Sequence, residues 1–222
     1  YILTKMNEEG WSFEEALKRA QELGYAECNP EADIEGYDTC RKIAILTSLA
    51  SGNQVDFKDI YTEGITKVTA EDFAYAKKAG CAIKLLAVSK KQGDTYCVMV
   101  APAFVRKENP LYMVNDVFNA VCVEGNMLGA SMFYGSGAGK LPTASAVVAD
   151  IIEEAKNLHH NIPLGWTSEK QVIQPMEDSS HKYFVRISGV YESQKDKLQE
   201  LFGTCKVITL EGTDEFALLT EV

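Results

Sequence analysis

Ile83-Lys-Leu-Leu-Ala-Val88 and Thr95-Tyr-Cys-Val-Met-Val-Ala-Pro-Ala-Phe-Val105 are two β-rich runs joined by a polar stretch, Lys91-Gln-Gly-Asp94. β-branched and aromatic residues on either side of Gly93-Asp94 are hairpin chemistry, because the turn residues accept a backbone that others resist. Asp116 to Glu124 and Leu128 to Phe133 repeat the pattern around Gly125-Asn126. Helices flank these strands. Ser12 and Glu15 form a Ser-x-x-Glu capping box ahead of Phe13, Ala16, Leu17, Ala20 and Leu23 at helical spacing, and Gly24 ends the run. Tyr37 to Ala50 reads as a second helix with Ile43, Leu46 and Leu49 or Ala50 on its inward face, stopped by Ser51-Gly52. Thr69, with Asp72 as a weaker cap, opens a third that runs to Gly80. Thr143 to about Leu158 is helical again, and its small residues Ala144, Ser145, Ala146 and Ala149 would let the backbone lie close to a neighbour. Strands with helices before and after them indicate an α+β class, a mixed β-sheet packed with helices.

Beyond this region Asn161 to Asp178, with Pro163, Gly165 and Pro175, reads as a connection between units. The tail then runs strand (Lys182 to Val190), helix (Ser193 to Phe202), strand (Cys205 to Leu210), turn, strand (Glu215 to Glu221). That order, βαββ, is the first part of a ferredoxin-like module.

Charge narrows the function. The 222 residues carry 32 acidic and 22 basic side chains, a formal net charge of −10, with no Lys/Arg block to reverse the sign locally. Phosphate backbones and anionic headgroups are repelled by such a surface, so neither nucleic acid nor a membrane surface is expected as a partner. No apolar run approaches the roughly 20 residues that span a bilayer, and the start lacks a basic segment leading into an apolar one. The chain begins without Met, directly in apolar sequence, as if cut from something longer. Six cysteines scattered without a Cys-x-x-Cys pair read as reduced cytoplasmic thiols, and with only three histidines no metal site is expected.

Two stretches could carry chemistry. Between Gly24 and Lys42 lies a loop dense in carboxylates, including Glu27 and Asp33, that runs into the helix bearing Asp38 and Lys42. Four residues apart, Asp38 and Lys42 are one turn, about 6 Å, apart and share a face. Taken alone, this spacing more often marks a solvated helix pair; the functional alternative is a loop gripping a cationic substrate beside a Lys proton carrier. The second stretch, Tyr134-Gly-Ser-Gly137-Ala-Gly139-Lys-Leu-Pro-Thr143, places glycines ahead of a helix. Free N–H groups there suit an anionic or flat ligand, although close helix packing would use the same glycines. It is not a Walker A loop, since Leu141 stands in the Ser/Thr position, and Lys140 stands where the third Gly of Gly-x-Gly-x-x-Gly belongs.

Together these segments resemble homoserine dehydrogenase. Gly24-Tyr25-x-Glu27-x-Asn29-Pro30-x-x-Asp33-Ile34-x-Gly36-x-Asp38-x-x-Arg41-Lys42 is similar to that family's signature. Tyr134-Gly-x-Gly-Ala-Gly-x-x-Pro-Thr-Ala-Ser-Ala-Val-Val-Ala-Asp150 is similar to its second block. Glu63-Gly-Ile65, Ile83-Lys84-Leu85 and Asn119-Ala-Val121 agree in order and spacing. The resemblance covers residues 1 to 158, and the tail looks like part of an ACT regulatory domain.

It implies NAD- or NADP-dependent interconversion of L-homoserine and L-aspartate 4-semialdehyde, a step toward threonine, methionine and isoleucine, in a homodimer or higher homo-oligomer. Carried over, Lys42 is the catalytic proton carrier with Asp38 as its partner. Glu27 and Asp33 hold the substrate, Tyr25 lines the same pocket, and Gly137, Ala138, Gly139 and Thr143 face the nicotinamide. The chain would then divide into a substrate-binding and dimerisation domain (1–142), a helix returning to a nucleotide-binding domain (143–160), a linker (161–178) and a partial ACT-like domain (179–222). The family's Rossmann domain precedes the region seen here, so the chain is expected to be a fragment without tight cofactor binding. Asn29 stands where the family more often has Asp, read as a tolerated loop change. A non-catalytic amino-acid-sensing module that only dimerises is the alternative. Against it, a sensor needs neither the Glu27, Asp33, Asp38 and Lys42 set nor the glycine loop.

Overall fold

The computed structural model describes residues 1–221. At its centre β2 (Cys81–Gln92) and β3 (Thr95–Arg106) form one antiparallel ladder from Cys81↔Arg106 to Gln92↔Thr95, closed by Gly93-Asp94. The short β1 (Tyr61–Thr62) adds to the other edge of β3 in parallel, Tyr61 opposite Met99. Alternation along the strands turns Ile83, Leu85 and Ala87 of β2 and Tyr96, Val98, Val100 and Phe104 of β3 to one face.

Helices cover that face. The chain opens with α1 (Ile2–Glu9), followed by α2 (Phe13–Glu22), the single turn α3 (Glu31–Ile34), α4 (Tyr37–Ser51) and α5 (Ala70–Ala79). The caps are as the sequence indicates: Ser12 Oγ accepts from the Glu15 amide at 3.1 Å, and Thr69 with Asp72 forms a complete capping box on α5. The helix α1 has no counterpart in the sequence reading, because Tyr1 provides no side-chain cap to announce it. One core joins Ile2 and Met6 of α1, Ala16 and Ala20 of α2, and Phe73 and Ala76 of α5 to Ile65 and Ile83. A second joins Cys40 and Ala44 of α4 to Val55, Ile60, Tyr96, Val98 and Val100.

The inward face of α4 differs from the expectation. Cys40, Ala44, Thr47 and Ser48 are buried, whereas Leu46 and Leu49 are 39 % and 52 % exposed. Small residues let the helix lie close on the hairpin, and its hydroxyls are satisfied there. Thr47 Oγ1 pairs with Ser89 Oγ at 2.8 Å, and Ser48 Oγ donates to the Ala44 carbonyl while accepting from the Val55 amide.

Outside this body β4 (Phe118–Gly125) and β5 (Gly129–Ser136) form a two-stranded hairpin exposed on both faces. It leads into α6 (Lys140–Lys156), none of whose residues is buried. That helix starts three residues before Thr143, because Pro142 falls within the first turn, where a missing N–H costs nothing. Residues 161–178 hold only a 3₁₀ turn, Met176–Asp178, yet they are stitched to the main body. Thr167 N donates to the Gly52 carbonyl, Gln54 N to Glu169, Gln171 N to Gln54 and Gln174 N to Tyr96, each at 2.8 Å.

The tail comprises β6 (Phe184–Ser188), α7 (Tyr191–Phe202), β7 (Cys205–Thr209) and β8 (Glu215–Thr220), with antiparallel sheet order β6-β8-β7. One sheet face packs on α7 through Leu198, Phe216 and Leu218. The other buries Ile208 and Ala217 against Tyr75 of α5, with the Phe184 ring tilted against that of Phe104, centroids 4.5 Å apart. Arg186 fastens this junction: its guanidinium meets Asp72 at 2.9 Å, Thr69 Oγ1 at 2.8 Å and both Glu215 carboxylate oxygens at 2.9 and 3.0 Å. Arg186→Leu leaves two half-buried carboxylates without their cation, so we expect a loss of about 1–3 kcal/mol in urea unfolding. An unchanged midpoint would show that apolar contacts alone dock the tail.

Candidate functional site

The acidic loop is anchored at three places. Tyr25 N and Ala26 N both donate to the Ala20 carbonyl at the end of α2, and Gln21 Nε2 donates to the Glu27 carbonyl at 2.9 Å. The α3 turn closes through Asp33 N and Ile34 N onto the Pro30 carbonyl. Beyond it the strand edge takes hold: Ile65 N donates to the Ile34 carbonyl at 2.7 Å and Glu63 N to Val100 at 2.8 Å. Gly64 is required between them, since a Cβ there would overlap the Ile34 carbonyl oxygen and Glu35 Cα.

This framework brings four of the expected residues together. Lys42 Nζ lies 2.6 Å from Asp38 Oδ2 on the outer surface of α4, with the side chains 69 % and 44 % exposed. Burial raises the Asp33 carboxyl above its usual range, and the charges of Asp38 and Glu27 raise it further. Lys42 and the Glu27 backbone pull it the other way. Asp33 thus carries a desolvated carboxyl with two further carboxylates, Asp38 and Glu27, close enough to act on it. Tyr25 lies at the margin, half-buried on the α1–α2 core, its ring 5.3 Å from that of Tyr1.

The glycine loop is a separate feature. Gly137 N donates to the Val117 carbonyl at 2.9 Å, and Gly139 is the N-cap of α6, with no side chain capping the first turn. Thr143 N turns back onto the Gly139 carbonyl at 3.2 Å. Ala138 and Gly139 are half-exposed and Gly137 is exposed, so their backbone can be approached by a flat or anionic ligand. Among the residues whose charges act on Asp33, none comes from this loop. Among the described residues no group of three or more His, Cys, Asp or Glu could hold a metal ion. The sequence patterns assign no role to Lys84, a half-buried lysine whose charge interrupts the apolar run Ile83-Lys84-Leu85.

Residues 1–152 match the family model of homoserine dehydrogenase. A homoserine dehydrogenase of Neisseria gonorrhoeae is 42 % identical over 197 residues, spanning 85 % of this chain and 45 % of that protein. The crystal structure of a homoserine dehydrogenase from Thiobacillus denitrificans superposes with a TM-score of 0.88 at 33 % identity, over 100 % of this chain and 54 % of that one. A hyperthermophilic archaeal homoserine dehydrogenase mutant in complex with NADPH matches 73 % of this chain and 46 % of its own at 32 % identity, with a TM-score of 0.54. The chain thus spans about half the length of the curated relatives it matches.

The raised Asp33 carboxyl makes a pH-dependent prediction. Because the folded protein holds this proton more tightly than an unfolded chain, the stability it contributes is full below the ordinary value of 3.8 and is lost as pH rises through its raised value. Asp33→Asn should therefore unfold at a higher temperature than wild type at pH 7, with the two converging below 3.8. A variant that melts lower than wild type at pH 7 would remove the uncompensated charge from the account.

Proposed function

From the premise that this chain belongs to the homoserine dehydrogenase family, we propose that it supplies the substrate-binding half of an NAD- or NADP-dependent enzyme. The enzyme interconverts L-homoserine and L-aspartate 4-semialdehyde in the cytoplasm. The observation that carries this reading is the Asp33 cluster beside the Lys42–Asp38 pair: a group of carboxylates next to an amine suits a substrate bearing an ammonium and a reacting hydroxyl. Among the described residues no helix is long and apolar enough to cross a membrane.

Glu27 and Asp33 bind the substrate ammonium, which removes the repulsion that Asp33 otherwise bears. Tyr25 lines the same site. Asp38 accepts a hydrogen from Lys42 Nζ and so fixes the direction in which the remaining protons point. When homoserine is oxidised, its hydroxyl proton passes to Lys42 in its neutral amine form, which becomes the ammonium as hydride leaves the same carbon for the dinucleotide. In reduction Lys42 returns that proton to the carbonyl oxygen. The bound dinucleotide supplies the hydride acceptor or donor. Gly137, Ala138, Gly139 and Thr143 would hold its nicotinamide end. Their side-chain-poor backbone and the uncapped first turn of α6 fit a flat, polar group.

That the Rossmann domain lies outside these 222 residues is part of the proposal, and the share of the relatives' length matched here supports it. Residues 1–142 then bind substrate and dimerise, and α6 (residues 143–160 in the sequence division) returns to the nucleotide domain. Residues 161–178 connect, and 179–222 form a partial ACT-like module. Support comes from the wholly unburied α6, from the sheet order β6-β8-β7 within βαββ, and from the hairpin β4–β5, which exposes Val121, Val123 and Phe133 and suits a homodimer or higher homo-oligomer.

In the complete enzyme Lys42→Ala should lower kcat by about 10²–10⁴, the usual contribution of a positioned acid–base group, with little change in dinucleotide affinity. Steady-state kinetics with fluorescence titration of NADPH checks both, and unchanged turnover removes Lys42 from its role. This chain alone should show no saturable NADPH binding at micromolar concentration.

A further inference from the structure

Lys84 sits on the face of β2 opposite to Ile83 and Leu85, and burial pulls its ammonium below the usual lysine range against the opposing charges of Glu8 and Asp116. Among the described residues no carboxylate oxygen pairs with it. Its Nζ instead donates to the Val114 carbonyl and to Asn115 Oδ1, each at 2.5 Å. A half-buried ammonium held only by neutral oxygens costs stability, so a plain surface lysine or an apolar residue would serve packing better.

The turn that it grips is strained. Asp116 has φ 53°, the one positive value outside glycine among the described residues. That conformation is held by α1: Asp116 N donates to Thr4 Oγ1 at 3.0 Å, and the Asp116 carboxylate lies 3.3 Å from Lys5 Nζ. Phe118 N then donates back to the Asn115 carbonyl at 3.1 Å, launching β4. The glycine loop hangs from the next residue along, because Gly137 N donates to Val117, and a Cβ on Gly137 would overlap the Asn119 side chain. Val114, Asn115 and Asp116 are thus the root from which the Gly137–Gly139 backbone is aimed.

We propose that Lys84 is a positioning residue for the glycine loop: by holding Val114 and Asn115 it fixes the turn from which Val117 holds Gly137, and so sets where the Gly137–Gly139 backbone meets a dinucleotide. The last clause rests on the reading of that loop given under the proposed function; the positioning itself does not. Thr4 acts with Lys84 from α1, and the two hold neighbouring residues of the same turn.

Amide hydrogen exchange read by mass spectrometry on this chain tests the positioning without any cofactor. Lys84→Met should accelerate exchange across residues 135–139 by about five- to thirtyfold, the response to losing one local contact network, while α4 keeps its wild-type rates. Lys84→Arg, which keeps charge and donors, should restore most of the protection. Unchanged exchange at 135–139, or an equal rise in α4, overturns the proposal. Should Lys84→Met fail to fold, Thr4→Val must give the same local rise, and its absence is equally decisive. In the complete enzyme Lys84→Met should raise KM for the dinucleotide more than it lowers kcat. Faster loop exchange with an unchanged dinucleotide KM supports the positioning and removes the cofactor reading of the loop instead.

Discussion

The unbroken antiparallel ladder between β2 and β3 is what most of the chain is positioned by. Its helix-covered face receives α4 over Val98 and Val100 and the α1–α2–α5 group over Ile83, and Phe104 reaches on to the tail. Its opposite face carries Lys84 to the 114–116 turn, and the free edge of β3 takes β1 and then residues 172–174. An isolated hairpin of this kind is marginal in water, and covering it on one face and along one edge makes it a scaffold. Both candidate ligand features are second-order consequences: the acidic loop is held through Glu63 and Ile65 beside β3, the glycine loop through Lys84 beside β2.

Stability and chemistry are kept apart. The Lys42–Asp38 pair is solvent-exposed, and such pairs contribute little to folding, so its conformation is set by α4 rather than the reverse. The anchoring of α4 uses Cys40, Ala44, Thr47 and Ser48 on the other side of the helix, and residues 167–171 hold its C-terminal end. Asp33 is the opposite of a stabilising group, being raised by burial and by like charge. A helix held this firmly can carry an electrostatically unfavourable cluster beside it. The strap at 167–174 also joins the helix bearing Lys42 to the tail, while Arg186 joins the tail to the capping box of α5.

Elements with local signatures were legible: the Ser12 and Thr69 caps, the Gly93-Asp94 and Gly125-Asn126 turns, and the βαββ order of the tail all appear where the residues indicate. The grouping of Glu27, Asp33, Asp38 and Lys42 was legible too, since a loop entering a helix keeps them within one short stretch. The inward face of α4 was not. A rule that buries the largest apolar residues chose Leu46 and Leu49, whereas close packing on the hairpin selected small residues whose hydroxyls have partners at Ser89 and Val55. The helix α1 carries no such local signature, because no capping side chain marks its start.

The sequence by itself determined the α+β class, the local elements and the residue types of the candidate chemistry, because caps, turns and alternation act over a few neighbouring residues. Only the tertiary structure decided which face of α4 is buried, that Arg186 meets Asp72 and Glu215, and that Lys84 holds Val114 and Asn115. Those partners lie 29 to 114 residues apart in the chain. Their pairing depends on burial and on hydrogen bonds that exist once the β2–β3 ladder has brought distant segments together.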